Sequence, residues 1–311
     1  MTFGMPSWGC DEETATQLVH RYLDGGGNII DTASGYLQSE EICGRALRGK
    51  RDDVVIATKF GMAVGAGPHA RGTGRKHIKE VCETSLRRLQ TDRIDLYWLH
   101  ADDVATPLEE TFAALDDLIR AGKVLYTGVS NLRAYRVMKA LGVCDRLGLA
   151  RPIAFQGEYN LIVRTLEREH LQLFDEEGMG LMSWSPLAAG MLTGKVKPGD
   201  TSAQTRLVQH DVVFDSFHKN DHGFNVVTVV QKAAAELGCT PAQLALAWQR
   251  SRPVSSVIVG ARTLAQLDDN LASLDVQIPP DVLEELDRTT AVEDEYPGAF
   301  IDTFEQWFLN R

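Results

Sequence analysis

The apolar positions of the chain alternate between two periods. Over residues 11–24, Ala15, Leu18, Val19, Tyr22 and Leu23 fall at offsets 0, 3, 4, 7 and 8, one face of a helix that Gly25-Gly26-Gly27 stops. Residues 28–33 then read as a short buried strand, with Ile29 and Ile30 as its apolar run and Asp31 at its end. Ser39 opens a helix over 39–47, with Glu40 and Glu41 in the first turn, where the helix dipole favours acids. The apolar run at 54–59 predicts a strand covered on both faces. A glycine-rich loop at 61–74 follows, and Ile78, Val81, Cys82, Ser85, Leu86 and Leu89 return to helical spacing.

The same rhythm runs on. Strands are predicted at 94–100, 124–131, 153–160, 180–187 and 254–262, and helices at 133–141, 166–176, 225–237, 264–274 and 280–288. Thr106-Pro107-x-Glu109 predicts a capping box, with proline at the first helical position, for a helix whose face is Leu108, Phe112, Leu115 and Ile119. Thr240 and Pro241, with Gln243 at the box position, repeat the signal. Only 188–224 breaks the alternation, with a long irregular segment.

Strand-then-helix alternation at a spacing of about 30 residues means a parallel sheet with helices outside. An open dinucleotide-binding sheet predicts G-x-G-x-x-G after its first strand, and Gly65-x-Gly67 lacks the third glycine. Asp31, Lys59, His100, Asn131, Gln156 and Arg262 instead fall at the C-terminal ends of different strands. In a closed barrel those ends converge on one mouth. Only seven strands are visible, and the chain opens with a helix. The first strand of the barrel is therefore expected upstream of Met1. The natural product is expected to carry roughly 15–30 further residues there, room for a hairpin and an ordinary strand. A seven-stranded chain is expected to be marginal or to associate through its gap.

Composition narrows the partners. The formal net charge of −11 argues against nucleic acid and anionic membranes. No segment reads as a membrane span or signal peptide, and five scattered cysteines without C-x-x-C suit a reducing cytoplasm. A single domain over 1–311 is expected, with a tail over 290–311. The aromatic, acidic stretch at 293–308 reads as a cap over the mouth or a subunit contact. The sequence does not fix the oligomeric state.

Taken together, the motifs resemble those of the aldo-keto reductase family. Asp31-Thr32-Ala33-x-x-Tyr36, Thr58-Lys59 and Asp95-Leu96-Tyr97-Trp98-Leu99-His100 are similar to the family segments that carry a catalytic Asp, Tyr, Lys and His. Gly128-Val129-Ser130-Asn131, Gln156-x-x-Tyr159-Asn160, Trp184-Ser185-Pro186-Leu187 and Gly260-Ala261-Arg262 are similar to its cofactor segments. The departure is at the N-terminus, where the family's hairpin and first strand are absent. The resemblance implies a (β/α)8 TIM barrel and reduction of aldehydes or ketones with NADPH. It leaves as an alternative a cofactor-binding regulatory subunit like the channel-associated members, against which His100 speaks, because Asn would be favoured there. An unrelated barrel hydrolase or isomerase is a third reading.

The chemistry of the residues fits the first reading. Carbonyl reduction needs a hydride and a proton, which Tyr36 could supply. A free phenol titrates near pH 10, so it needs a neighbouring cation, and Lys59 is the natural one. Lys59 at the end of an apolar strand needs a counter-ion, and Asp31 fits. His100 could polarise the carbonyl. For the cofactor, Ser130, Asn131 and Gln156 match a carboxamide, and Trp184 offers a face for a nicotinamide ring. Residues 185–194, with Ser185, Leu187, Gly190 and Leu192, bring backbone amides to a pyrophosphate, and Lys195 adds charge. Arg262, with Gln266 and Asn270 on the next helix, could hold an adenosine phosphate and favour NADPH over NADH by roughly tenfold or more. His210, Asp211, Asp215, His218, Asp221 and His222 cluster in the irregular segment, and His218-x-x-x-His222 has metal-like spacing. No helix is predicted to carry that pair, so no metal site is expected.

Overall fold

A computed structural model describes residues 2–6, 9–199, 218–293, 295–304 and 307–308. Seven strands pair in parallel, strictly in chain order: β1 (Ile29–Asp31), β2 (Val55–Phe60), β3 (Ile94–Leu99), β4 (Val124–Ser130), β5 (Ala154–Glu158), β6 (Gly180–Trp184) and β7 (Ser256–Val257). The helices that precede, connect and follow them are α1 (Glu12–Asp24), α2 (Ser39–Ala46), α3 (Arg75–Leu89), α4 (Leu108–Arg120), α5 (Ala134–Leu147), α6 (His170–Glu177), α7 (Asp221–Leu237), α8 (Pro241–Arg250) and α9 (Leu264–Ala272). Two more, α10 (Pro280–Thr290) and α11 (Gly298–Phe304), follow. No described helix is long and apolar enough to cross a membrane.

The sheet is strongly curled. β1 and β5 are separated by three strands, which in a flat sheet would put them roughly 19 Å apart. Yet Gln156 Nε2 donates to Asp31 Oδ1 at 2.9 Å, across the inside of the curve. Because side chains alternate faces, the register assigns that inner face. Lys59 lies opposite Trp98, Trp98 opposite Gly128, Ser130 opposite Gln156, and Glu158 opposite Trp184. Ala57, Leu96, Trp98 and Met182 fill the inside, with Ile29, Ala154 and Ile258 against them. The close approach at Gly128 is obligatory, since a Cβ there would come within 2.3 Å of the Trp98 ring. The other face of the sheet meets the helices in the main core, which contains Ile56, Phe60, Tyr97, Val129 and Phe155.

Three expectations change. The strands at 28–33 and 254–262 shrink to β1 and β7, which are the two ends of the sheet and hydrogen-bond on one side only among the described residues. The Thr106 capping box does not form: α4 starts one residue after Pro107, and the Thr106 hydroxyl donates to Asp103 Oδ2 at 2.8 Å. Pro107, whose side chain has no acceptor, takes the cap position, so Thr106 lies one place outside it. At Thr240 the hydroxyl donates to Asp269 and still accepts from the Gln243 amide, and the box is complete. The irregular segment also turns helical earlier than predicted, because Asn220 caps α7 through the Gly223 amide at 2.8 Å.

Candidate active site

The C-terminal ends of β1, β2 and β3 bring the four catalytic candidates together. Lys59 is 1% exposed, and its ammonium pairs with Asp31 Oδ2 and donates to the Thr32 carbonyl at 2.7 Å. Burial pulls the Lys59 pKa down, but the Asp31 charge and the Tyr36 oxygen outweigh it, and the net shift is upward. The lysine is therefore charged. Its ammonium lies 5.0 Å from the centre of the Tyr36 ring. Tyr36 Oη is 3.3 Å from His100 Nε2, with the two rings edge to face. Burial, then the Lys59 charge, holds the His100 pKa down at about 3. His100 is therefore a neutral imidazole at neutral pH, free to present one N–H.

Two of the cofactor candidates join this cluster directly. Gln156 is tied to Asp31, with Met182 Sδ at 3.5 Å from the same amide nitrogen. Asn131 adopts φ +59°, a conformation asparagine tolerates better than most residues. Its Nδ2 donates to the His100 carbonyl at 2.9 Å and to Ser130 Oγ at 2.8 Å. Both amides can still offer an oxygen as acceptor to a carboxamide.

The remaining candidates form two groups at the same end of the sheet. Trp184 ends β6, and Ser185 turns the chain at φ +51° into a 3-10 segment, Ala188–Thr193. Gly190 at φ +101° follows Leu187, whose carbonyl accepts from the amides of Gly190 and Leu192. The Leu192 side chain belongs to the core, and its amide is engaged by Leu187. Lys195 is exposed. In the second group, Gln266 Oε1 accepts from the Arg262 amide at 2.8 Å, and Asn270 Nδ2 reaches the Gly260 carbonyl at 3.5 Å. The two amide side chains thus shape the loop that carries Arg262.

Sequence reasoning missed some partners. Asn160 is fully buried; its Nδ2 holds the Ser185 carbonyl at 3.0 Å while its Oδ1 accepts from Ile162 and Val163. It fixes the turn beside Trp184. His218 is buried, and its Nε2 lies 2.8 Å from Glu158 Oε1 at the end of β5, whereas His222 on α7 is exposed. The metal-like pair is thus split between two environments, and His210, Asp211 and Asp215 lie outside the described residues. Glu40 was read as a first-turn acid favoured by the dipole, but it is fully buried. The signal was present: Cys43, Gly44 and Leu47, at offsets 3, 4 and 7, put Glu40 on the buried stripe of α2.

A curled parallel sheet with helices outside and its polar side chains at the C-terminal strand ends is the architecture of a (β/α)8 barrel, here with seven strands among the described residues. The chain belongs to the aldo/keto reductase family, whose model matches residues 1–291. It is similar to a probable voltage-gated potassium channel subunit beta of Arabidopsis thaliana, at 37% identity over 93% of this chain and 91% of the relative. A rice (Oryza sativa subsp. japonica) protein of the same description is 39% identical over 92% and 89%. The uncharacterized oxidoreductase YrpG of Bacillus subtilis (strain 168) is 32% identical over 99% and 93%.

Proposed function

We propose that the chain reduces aldehydes or ketones to alcohols with NADPH, and that Tyr36 is the proton donor. The observation that carries this reading is the buried Asp31–Lys59 pair set beneath a phenol and a neutral imidazole. When bound, the reduced nicotinamide supplies the hydride. Tyr36 gives its proton to the carbonyl oxygen as that oxygen gains negative charge. The Lys59 ammonium favours the phenolate left behind, and Asp31 opposes the downward pull of burial on the Lys59 pKa. His100 offers a neutral N–H to the same oxygen and orients the carbonyl. Gln156, Asn131 and Ser130 would hold the carboxamide. Trp184 would stack on the ring, and Arg262 would read the 2′-phosphate. The donor set suits such a group: amide acceptors lie beside the tetrad, a glycine with φ +101° is followed by Lys195, and a further cation sits on a helix-capped loop.

The substrate is a small carbonyl compound, and a cytoplasmic setting accords with the free cysteines among the described residues. The plant relatives favour a second reading, a regulatory subunit that binds NADPH with little turnover. Purified protein with NADPH and a reactive aldehyde separates the two. Reduction is expected to consume NADPH, and Tyr36→Phe to slow it by about 100-fold or more. Tight NADPH binding with turnover no faster than that of Tyr36→Phe would favour the regulatory reading.

A further inference from the structure

Behind the candidate site lies a buried charge with no part in the chemistry above. Glu40, on the first turn of α2, is 0% exposed. Its Oε1 accepts from Thr58 Oγ1 at 2.7 Å, and its Oε2 from Arg88 Nη1 at 3.2 Å. The same Arg88 nitrogen donates to the Ser34 carbonyl at 3.3 Å, and Arg88 Nε lies 3.1 Å from Glu41 Oε1. Thr58 precedes Lys59 and points to the opposite face of β2. Ser34 and Glu40 flank Tyr36 in the chain, and the Ser34 amide donates to the Lys59 carbonyl at 3.1 Å. Both ends of the short segment carrying the phenol are thus tied to the strand carrying the ammonium.

We propose that Glu40, through Arg88 and Thr58, is a positioning residue that fixes the Tyr36 hydroxyl relative to the Lys59 ammonium. A buried carboxylate contributes little net stability once its desolvation is counted, and an apolar side chain of similar size would often do as well. What the carboxylate adds is direction: it accepts from two elements at once, β2 and α3, and so sets α2 and the Tyr36 turn against both. Its effect reaches the phenol through backbone placement, not through contact. Among the described residues, the charged and titratable groups that face Tyr36 include Lys59 from β2 and His100 after β3, with Asp31 of β1 behind Lys59.

The proposal rests on the reading of Tyr36 as proton donor, so its test includes a measurement that needs no turnover. The ionisation of Tyr36 is read as the ultraviolet difference between each protein and the same protein carrying Tyr36→Phe. In Glu40→Gln and Arg88→Lys the midpoint is expected to rise by about one pH unit or more as the ammonium and phenol move apart. With NADPH and an aldehyde, kcat is expected to fall about tenfold or more, with NADPH affinity held within about twofold. Thr58→Val, which removes a single hydroxyl, is expected to give a smaller change in the same direction, and it serves where Glu40→Gln fails to fold. A lower thermal midpoint with unchanged Tyr36 ionisation and kcat in the folded variants would make the network merely structural and overturn the proposal. A shifted ionisation in a protein without any turnover would uphold the positioning role and overturn the reductase reading instead.

Discussion

His100 sits in the field of the Lys59 ammonium and within reach of the Tyr36 hydroxyl, and that placement makes its protonation costly. In the unfolded chain a histidine takes up a proton near pH 6.5; here it does so only near pH 3. Between those values the unfolded state binds more protons, so this residue's contribution to stability is whole above about pH 6.5 and drains away as pH falls towards 3. Urea midpoints of the wild type and His100→Asn, measured from pH 7.5 to pH 4.5, should converge as the pH drops. A constant gap between them would show that His100 is not held neutral. The four catalytic candidates were legible in the sequence because each ends or follows a strand, where the period of two fixes the face. Asn160 and the Glu158–His218 pair were not, since each depends on a carbonyl or carboxylate brought near only by packing. Glu40 was half legible, its position on the stripe readable but its partners 18 and 48 residues away.

At the scale of elements, the loop between β7 and α9 is where the proposed function would set the cofactor preference. Gln266 and Asn270 spend their side chains on the backbone around Arg262, so the guanidinium is presented from a fixed loop. Arg262→Ala is expected to weaken NADPH binding by roughly tenfold, about 1.4 kcal/mol, and NADH binding much less. Fluorescence titration with both cofactors checks this, and equal losses would mean that Arg262 does not read the 2′-phosphate. Helices were read well from their periodicity, and α5 simply runs further than its apolar face required, to a Gly148 cap at φ +64°. Strand ends were read too generously at β1, β6 and β7. An apolar run marks what can be buried, whereas a strand also needs a neighbour to hydrogen-bond. Capping was misread at Thr106 because the sequence leaves the first helical residue open by one place, and Pro107 takes the cap position.

Across the whole molecule, curvature brings the candidate side chains at the ends of seven consecutive strands to one end of a curled sheet. The barrel class followed from polar residues at the strand ends, and the curl itself is visible in the contact between β1 and β5. That contact has a temporal side. Asp31 and Gln156 are 125 residues apart, and the strands between them must be in register before the bond can close. Local helices and neighbouring strand pairs gain their contacts early, while a closure of this span comes late, after most of the chain entropy has been lost. The Asp31 carboxylate is therefore expected to wait for its second partner through most of refolding, and the candidate site to be among the last features assembled. Pulse-labelled hydrogen exchange should show the Gln156 side-chain amide, which donates to Asp31, gaining protection later than the backbone amides of Thr32 and Ser34, which bond to neighbouring β2. Protection of the Gln156 side-chain amide as early as that of Thr32 and Ser34 would mean that the closure across the sheet does not come late. If the order is as expected, a nascent or misfolded chain does not display a finished Asp31–Lys59–Tyr36 arrangement, and reactivity arrives only with the complete sheet.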